Sequence, residues 1–264
     1  ALASSSLIQS LTHLLFAAGR VTAYNDQIGI SAPLTIPFEG AVPGDTLLAL
    51  LAASKAKEVE FAVAEGEVVA KAGGARRKLP LLPPETFLVE MPKDTKDADE
   101  LPAASEAFIA AVRGCLRSVS PDTSVPDQLG VTLIPKKKSI DMYSVNGVSM
   151  SRASVPLAGA QPLGRRVVLS APFCEQLVRL AAGDKKACLT VDDDCALLRT
   201  GSGARVFGKL VDVPRPLDFE AQFADIAPPD VVKAAAAAPP TLKLALDRAL
   251  IIADPQGERA YSQL

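Results

Sequence analysis

The stretch Ala72–Phe87, AGGARRKLPLLPPETF, returns about 130 residues later as Gly201–Phe219, GSGARVFGKLVDVPRPLDF. Both run from glycine to Ala-Arg, through a short segment to leucine, then through prolines to phenylalanine. A sentence written twice at that distance points to two copies of one structural unit. The surrounding residues extend the match. Val59-Glu60-Phe61 falls on Ala187-Cys188-Leu189, and Gly73 falls on Gly201, each offset by 128.

The unit reads as mixed α and β. Leu14–Ile36 alternates apolar and polar residues like paired strands, with turns at Gly19 and at Asn25-Asp26. Pro43–Ser54 predicts a short helix with Leu47, Leu48, Leu50 and Leu51 on its apolar side. A hairpin follows, with Val59, Phe61 and Val63 on one face and its turn at Glu65-Gly66. Leu79–Leu82 is one more strand, ended by Pro83-Pro84. Met91–Pro102 is charged and bounded by prolines, and reads as a linker. Beyond it, Ala103–Ser120 predicts a helix with Phe108, Val112, Cys115 and Val119 inward. Leu129–Val155 repeats the strand series. Ser170–Gly183 repeats the helix, with Phe173, Leu177 and Leu180 as its apolar positions. Lys186–Thr200 repeats the hairpin, turning at Asp192–Asp194.

With 264 residues, 48% hydrophobic and 22% charged, the chain can bury a core and hold two units of ordinary size. A net charge of −2 means that any contact with nucleic acid depends on where the basic residues lie, not on bulk charge. Cys115, Cys174, Cys188 and Cys195 lack C-x-x-C spacing and sit in apolar patterns. They read as reduced core residues of a soluble cytoplasmic protein. His13, the single histidine, lies in an alternating strand with no nucleophile elbow nearby. The two glycine-rich stretches lack the Lys-Ser/Thr of a phosphate loop. Asp192-Asp193-Asp194 reads as a solvated turn rather than a metal site. No enzyme chemistry and no cofactor is indicated.

A tandem α+β unit of about 120 residues, whose helices mix arginine with apolar residues, resembles the DNA sliding clamp family, and most of all its bacterial polymerase III beta subunits. The segments that carry the resemblance are FIAAVRGCLRSVSPDTSVPDQLGVTL, MYSVNGVSMSRASV, VVLSAPFCEQLVRLAAGDKKACLTV and ARVFGKLVDVPRPLDFEAQFADIAP. Their order carries more weight than any one of them. The resemblance divides the chain into three: 1–93, a clamp domain without its first strand and helix; 94–228, a complete one; and 229–264, the start of another or a tail that completes the first. Leu242–Leu264 reads as a helix on the stripe Leu242, Ala245, Ala249 and Ile252, with a hairpin as its competitor. The chain is then a fragment of a three-unit clamp, or lacks unobserved parts, or uses its tail to complete its first unit.

The resemblance implies a homodimeric or homotrimeric ring of six units, with helices lining the hole and sheets outside. Such a ring holds duplex DNA by enclosure, without reading sequence, and tethers DNA polymerase and a clamp loader to it. The implied DNA-facing residues are Arg113, Arg117, Arg179, Lys185, Lys186, Lys55, Lys57, Lys243 and Arg248. Pro135–Lys138, PKKK, is expected at an outward strand turn. A pocket for partner peptides would use Leu129, the segment Val145–Met150 with Gly147, and Pro228. The family commonly has T-D-G-H-R-L where this chain has Val145-Asn146-Gly147-Val148-Ser149-Met150, so only the glycine matches, with Met150 close to leucine. The competing reading is a clamp-like protein-interaction module that does not encircle DNA.

Overall fold

The computed structural model describes residues 11–226 apart from 55, 57, 88, 90, 91, 93–98, 121–124 and 158–162. The first set of elements is β1 (His13–Ala17), β2 (Arg20–Tyr24), β3 (Ile28–Pro33), β4 (Gly40–Pro43), α1 (Gly44–Ala53), β5 (Glu60–Ala64), β6 (Glu67–Ala72) and β7 (Ala75–Pro80). The second set opens with β8 (Asp99–Leu101) and α2 (Glu106–Cys115). It then repeats the first: β9 (Gly130–Pro135), β10 (Ser139–Val145), β11 (Met150–Pro156), β12 (Val167–Ser170), α3 (Ala171–Ala181), β13 (Cys188–Val191), β14 (Cys195–Arg199) and β15 (Arg205–Lys209). Helix α4 (Phe219–Ile226) follows. The doubled sentence is therefore a doubled structure: β7 and β15 begin at its two Ala-Arg pairs.

The described residues form three sheets, with strand orders β4-β1-β2-β3-β15-β14-β13-β8, β11-β10-β9-β12 and β5-β6-β7. The eight-stranded sheet runs from one copy into the other through antiparallel pairing of β3 with β15, in the register Ser31 to Arg205, Ile30 to Val206 and Gly29 to Phe207. On the inner side of this seam Ile28 enters the core of the second copy beside Val206, Ala196 and Leu198. On the outer side Phe207 lies almost parallel to Tyr24, ring centroids 5.7 Å apart. Phe207 belongs to a cluster with Ala41, Phe87 and Leu197. Gly29 is what allows this, because a Cβ there would lie 1.9 Å from the Phe207 ring.

Helices α2 and α3 contribute to the same core, which joins Phe108, Val112, Cys115, Phe173 and Leu177 to Val131, Leu133, Ile140 and Met142 of the four-stranded sheet. Ser105 caps α2 by accepting from the Phe108 N–H at 3.4 Å. The apolar positions named for these helices from their periodicity are buried or partly buried. Helix α1 covers the first copy's core of Phe16, Val42, Val68 and Leu79 through Leu47 and Leu50.

Two expectations change, and one element is new. Met91–Pro102 is not all linker: Asp99–Leu101 pairs with β13, and Leu101 is 1% exposed. Its neighbours are charged, so only the cross-strand partner reveals the strand. The strand expected over Leu79–Leu82 lies earlier, as β7, while Leu82 makes a single bridge to Ala41. The ending after Pro216 forms a helix, α4, where the Ala221 N–H donates to the Asp218 carboxylate at 3.1 Å. The expected helix at Leu242–Leu264 lies outside the described residues.

Candidate nucleic-acid interface and partner pocket

Arg113 stands in the last turn of α2, Arg117 in the 3-10 turn that continues it, and Arg179 in the last turn of α3; all three are exposed. Cations at helix C-termini sit where the macrodipole favours them. Lys185 and Lys186, also exposed, occupy the turn from α3 to β13, fastened where the Lys186 N–H donates to the Asp184 carboxylate at 2.9 Å. Because α2 and α3 lie on one core, these five cations belong to the helix layer of the second copy. They share it with the exposed carboxylates Glu106 and Glu175.

Helix α1 of the first copy differs. Its exposed positions include Leu48 at 49% and Leu51 at 39%, it carries no Lys or Arg, and its one charge is Asp45. Lys55, Lys57, Lys243 and Arg248 lie outside the described residues. Lys136–Lys138 form the turn between β9 and β10, and Lys136 pairs with Glu220 of α4.

The expected pocket residues separate. Val145 and Met150 do come together, on the outer face of the four-stranded sheet, but α4 already covers them. Phe219, 1% exposed, stacks on Tyr143 with centroids 5.1 Å apart, and Phe223 and Leu217 complete the cluster. Leu129 lines a different cavity of 390 Å³ with Ala171, Pro172, Leu210 and Val211, and Asp26 and Gln27 at its rim. Gly147 sits in the β10–β11 turn at φ +80°, a conformation that favours glycine, with open space beside it. Pro228 lies outside the described residues.

What the sequence reading missed is the fastening of α4. Arg166 donates to Asp127 at 2.7 Å and to the Leu217 carbonyl at 2.7 Å, and its guanidinium stands over the Phe219 ring at 5.1 Å. The other Asp127 oxygen accepts from the Leu217 N–H at 3.0 Å. The usable signal was Phe219 itself, the last residue of the doubled sentence: its counterpart Phe87 is likewise buried in a cluster with aromatic rings, those of Tyr24 and Phe207.

None of the four thiols is primed as a nucleophile. Burial pushes the Cys115 thiol up to about 11 against a smaller pull from Ser144. Burial, then the Asp192 carboxylate, pushes Cys195 up to about 12. Burial also raises Cys174 and Cys188. These thiols stay protonated at neutral pH, so they leave stability unchanged below about pH 8. Above it the unfolded chain releases protons that the folded chain keeps, and stability falls as pH rises toward the folded values. The expected results are slow labelling by a thiol reagent at pH 8, complete labelling in urea, and a fall in the urea midpoint between pH 9 and 11. The Asp192 carboxylate is occupied in its own turn, accepting from the Asp194 and Cys195 N–H groups at 3.0 and 2.8 Å.

Antiparallel sheets continued from copy to copy, with paired helices on the inner core, define the DNA sliding clamp fold. The chain is similar to the DNA polymerase III beta subunit of Thermotoga maritima, with a TM-score of 0.68 at 15% identity, over 86% of this chain and 62% of that one. It is similar to the sliding clamp of Pseudomonas aeruginosa, solved with griselimycin, with a TM-score of 0.69 at 16% identity, over 83% and 62% of the two chains. It is also similar to the Helicobacter pylori beta clamp, solved with a DNA ligase peptide, with a TM-score of 0.67 at 16% identity, over 86% and 63%. The chain spans a little over three fifths of the length of each. No family model and no curated protein matches the sequence. Among the described residues, no helix is long and apolar enough to cross a membrane.

Proposed function

We propose that the protein is a DNA sliding clamp, a cytoplasmic processivity factor rather than an enzyme, which closes with further copies into a ring around duplex DNA. The β3–β15 seam carries this reading. It joins two copies of the unit edge to edge, and it leaves β7 and β11, the counterparts of β15 and β3, with no strand on their outer sides among the described residues. A seam that can be repeated is what a ring needs, since closure removes the exposed edges. Arg113, Arg117, Arg179, Lys185 and Lys186 then supply weak, sequence-independent attraction to phosphates. The outer face around Tyr143, Val145 and Met150 is the region for peptides of a polymerase and a clamp loader, reached by moving α4.

The test is retention on nicked circular duplex DNA, with loss when the circle is linearised. Arg113→Glu with Arg117→Glu should weaken duplex binding for every sequence alike and lower the log–log salt slope by about one per lost contact. The apolar exposed face of α1 favours a second reading, an interaction module that keeps the fold without enclosing DNA. Equal loss from circles and linear DNA, with no effect of the arginine changes, would select it.

A further inference from the structure

The outer face of the β3–β15 seam carries charge beside its rings. Arg205 stands two residues before Phe207 on β15, and so on the same face. Its cross-strand partners are Arg199 on β14 and Ser31 on β3, and Ser31 in turn lies opposite Thr22 on β2. Directly opposed residues share a face. Arg20, two residues before Thr22, reaches into the same row. Its Nε donates to Ser31 Oγ at 2.8 Å, and one of its Nη atoms donates to the Ser31 carbonyl at 3.0 Å and to the Gly203 carbonyl at 2.8 Å. Three half-buried arginines thus gather on one side of the seam.

Such a row is unfavourable by itself. Arg199 and Arg205 set like charges directly opposite each other, which destabilises a strand pair. Burial, then the Arg205 charge, lowers the Arg20 guanidinium below its usual range. Among the described residues neither Arg20 nor Arg205 makes an ion pair. Carboxylates on flanking segments are engaged elsewhere. Asp184 accepts from the Gly201 and Lys186 N–H groups, Glu39 accepts from the Ala18 N–H, and Glu100 accepts from the Cys188 thiol beyond Arg199. A proton is also left over. Ser31 is 1% exposed and Thr22 8%. The Thr22 hydroxyl donates to Ser31 Oγ at 3.0 Å, and Ser31 Oγ accepts from Arg20 as well. One of the two hydroxyl protons makes that bond, and the other has no acceptor among the described residues. Cations without a counter-charge and a buried hydroxyl without an acceptor meet in one row.

We propose that this row is a binding site for a phosphate monoester dianion, gripped by Arg20 and Arg205 with Arg199 at its flank. Guanidinium forks match tetrahedral oxyanions and give paired, charge-assisted hydrogen bonds. Arginine clusters recognise phosphorylated side chains by the same chemistry. Arg20 is held in place by its three bonds across the seam, while Arg205 keeps its whole fork for a ligand. Arg199 donates to Cys188 Sγ at 3.5 Å and closes the row on the β13 side. The site lies on the face of the eight-stranded sheet turned away from the core of α2 and α3, so it goes beyond the clamp reading and does not rest on it.

The test titrates inorganic phosphate into the full chain above neutral pH, with ionic strength held constant by chloride, and reads the heat of binding and the urea midpoint. The midpoint of the parent should rise as phosphate is added. Arg205→Gln should bind phosphate at least about tenfold more weakly. In chloride alone the same variant should unfold at higher urea than the parent, because the opposed charges are gone. Arg205→Lys keeps the charge without the fork and should also lose most of the phosphate response. Arg77→Gln, which removes an exposed cation on β7, should keep it in full. A phosphoserine peptide separates the sources. Binding tighter than that of the free ion, and lost on dephosphorylation, assigns the site to a partner's phosphorylated side chain; binding no tighter assigns it to free phosphate. No response in the parent, a response unchanged in Arg205→Gln, or a lower midpoint for that variant in chloride overturns the proposal. So does duplex DNA binding that Arg205→Gln abolishes while phosphate has no effect. No arm reads retention on a nicked circle, so failure here is distinct from failure of the clamp reading.

Discussion

Gly130→Ala should unpair β9 from β12 and leave a chain that unfolds at far lower urea than the parent, with a loss of about 3 kcal/mol or more. Gly130 lies opposite Ser170 in that ladder, and an added Cβ would stand 1.9 Å from the Leu169 carbonyl oxygen and 2.8 Å from its carbon. Those are backbone atoms in a strand that begins α3, whose Ala171 N–H donates to the Leu129 carbonyl at 2.9 Å. Neither strand can retreat without losing pairing, so the cost exceeds the 1–3 kcal/mol usual for overpacking against side chains. Gly29→Ala is the control. Its Cβ meets the Phe207 ring, a side chain, so shortening Phe207 to leucine in the same chain should recover part of the loss. No second-site change of a side chain should rescue Gly130→Ala. Equal rescue in both would mean that β12 gives way more easily than its pairing implies.

The contrast between these glycines also marks how far the sequence could be read. Alternation and helical phase are local, and they placed β1 to β3, α1, the β5–β6 and β13–β14 hairpins and both long helices of the second copy. The doubled sentence paired β7 with β15 and Phe87 with Phe219. Arg113 and Arg179, named through the resemblance, are both exposed. What local patterns could not place depends on partners distant in the chain. β8 is three residues amid charges, held by pairing with β13 and by Leu101 in the core. The β3–β15 seam joins residues about 175 positions apart, and the packing of Phe207 on Gly29 leaves no periodic trace. Leu129 was expected beside Val145 because the family resemblance implies one pocket for both. The 3-10 turn at Pro126–Gln128 and the bond from Ala171 instead bring it to the start of α3.

Asp127→Ala should cost about 3–5 kcal/mol in urea unfolding, the usual loss when one member of a buried ion pair is removed. Asp127 is 4% exposed and answers two donors, the Arg166 guanidinium and the Leu217 N–H. Without it a largely buried cation loses its counter-charge and a backbone donor loses its acceptor, and both penalties fall on the segment leading into α4. Replacing the pair together, Asp127→Leu with Arg166→Met, removes the uncompensated charge and should recover most of the loss, although the Leu217 N–H stays unpaired. The single and double variants therefore separate the cost of stranding a charge from the worth of the pair. The single variant should also loosen Phe219 and Phe223 from Tyr143, Val145 and Met150, so proteolysis after Phe219 should accelerate well below the unfolding midpoint. If cleavage there tracks global unfolding instead, α4 is held by its aromatic stacking alone, and a partner peptide would have to displace the rings rather than the ion pair.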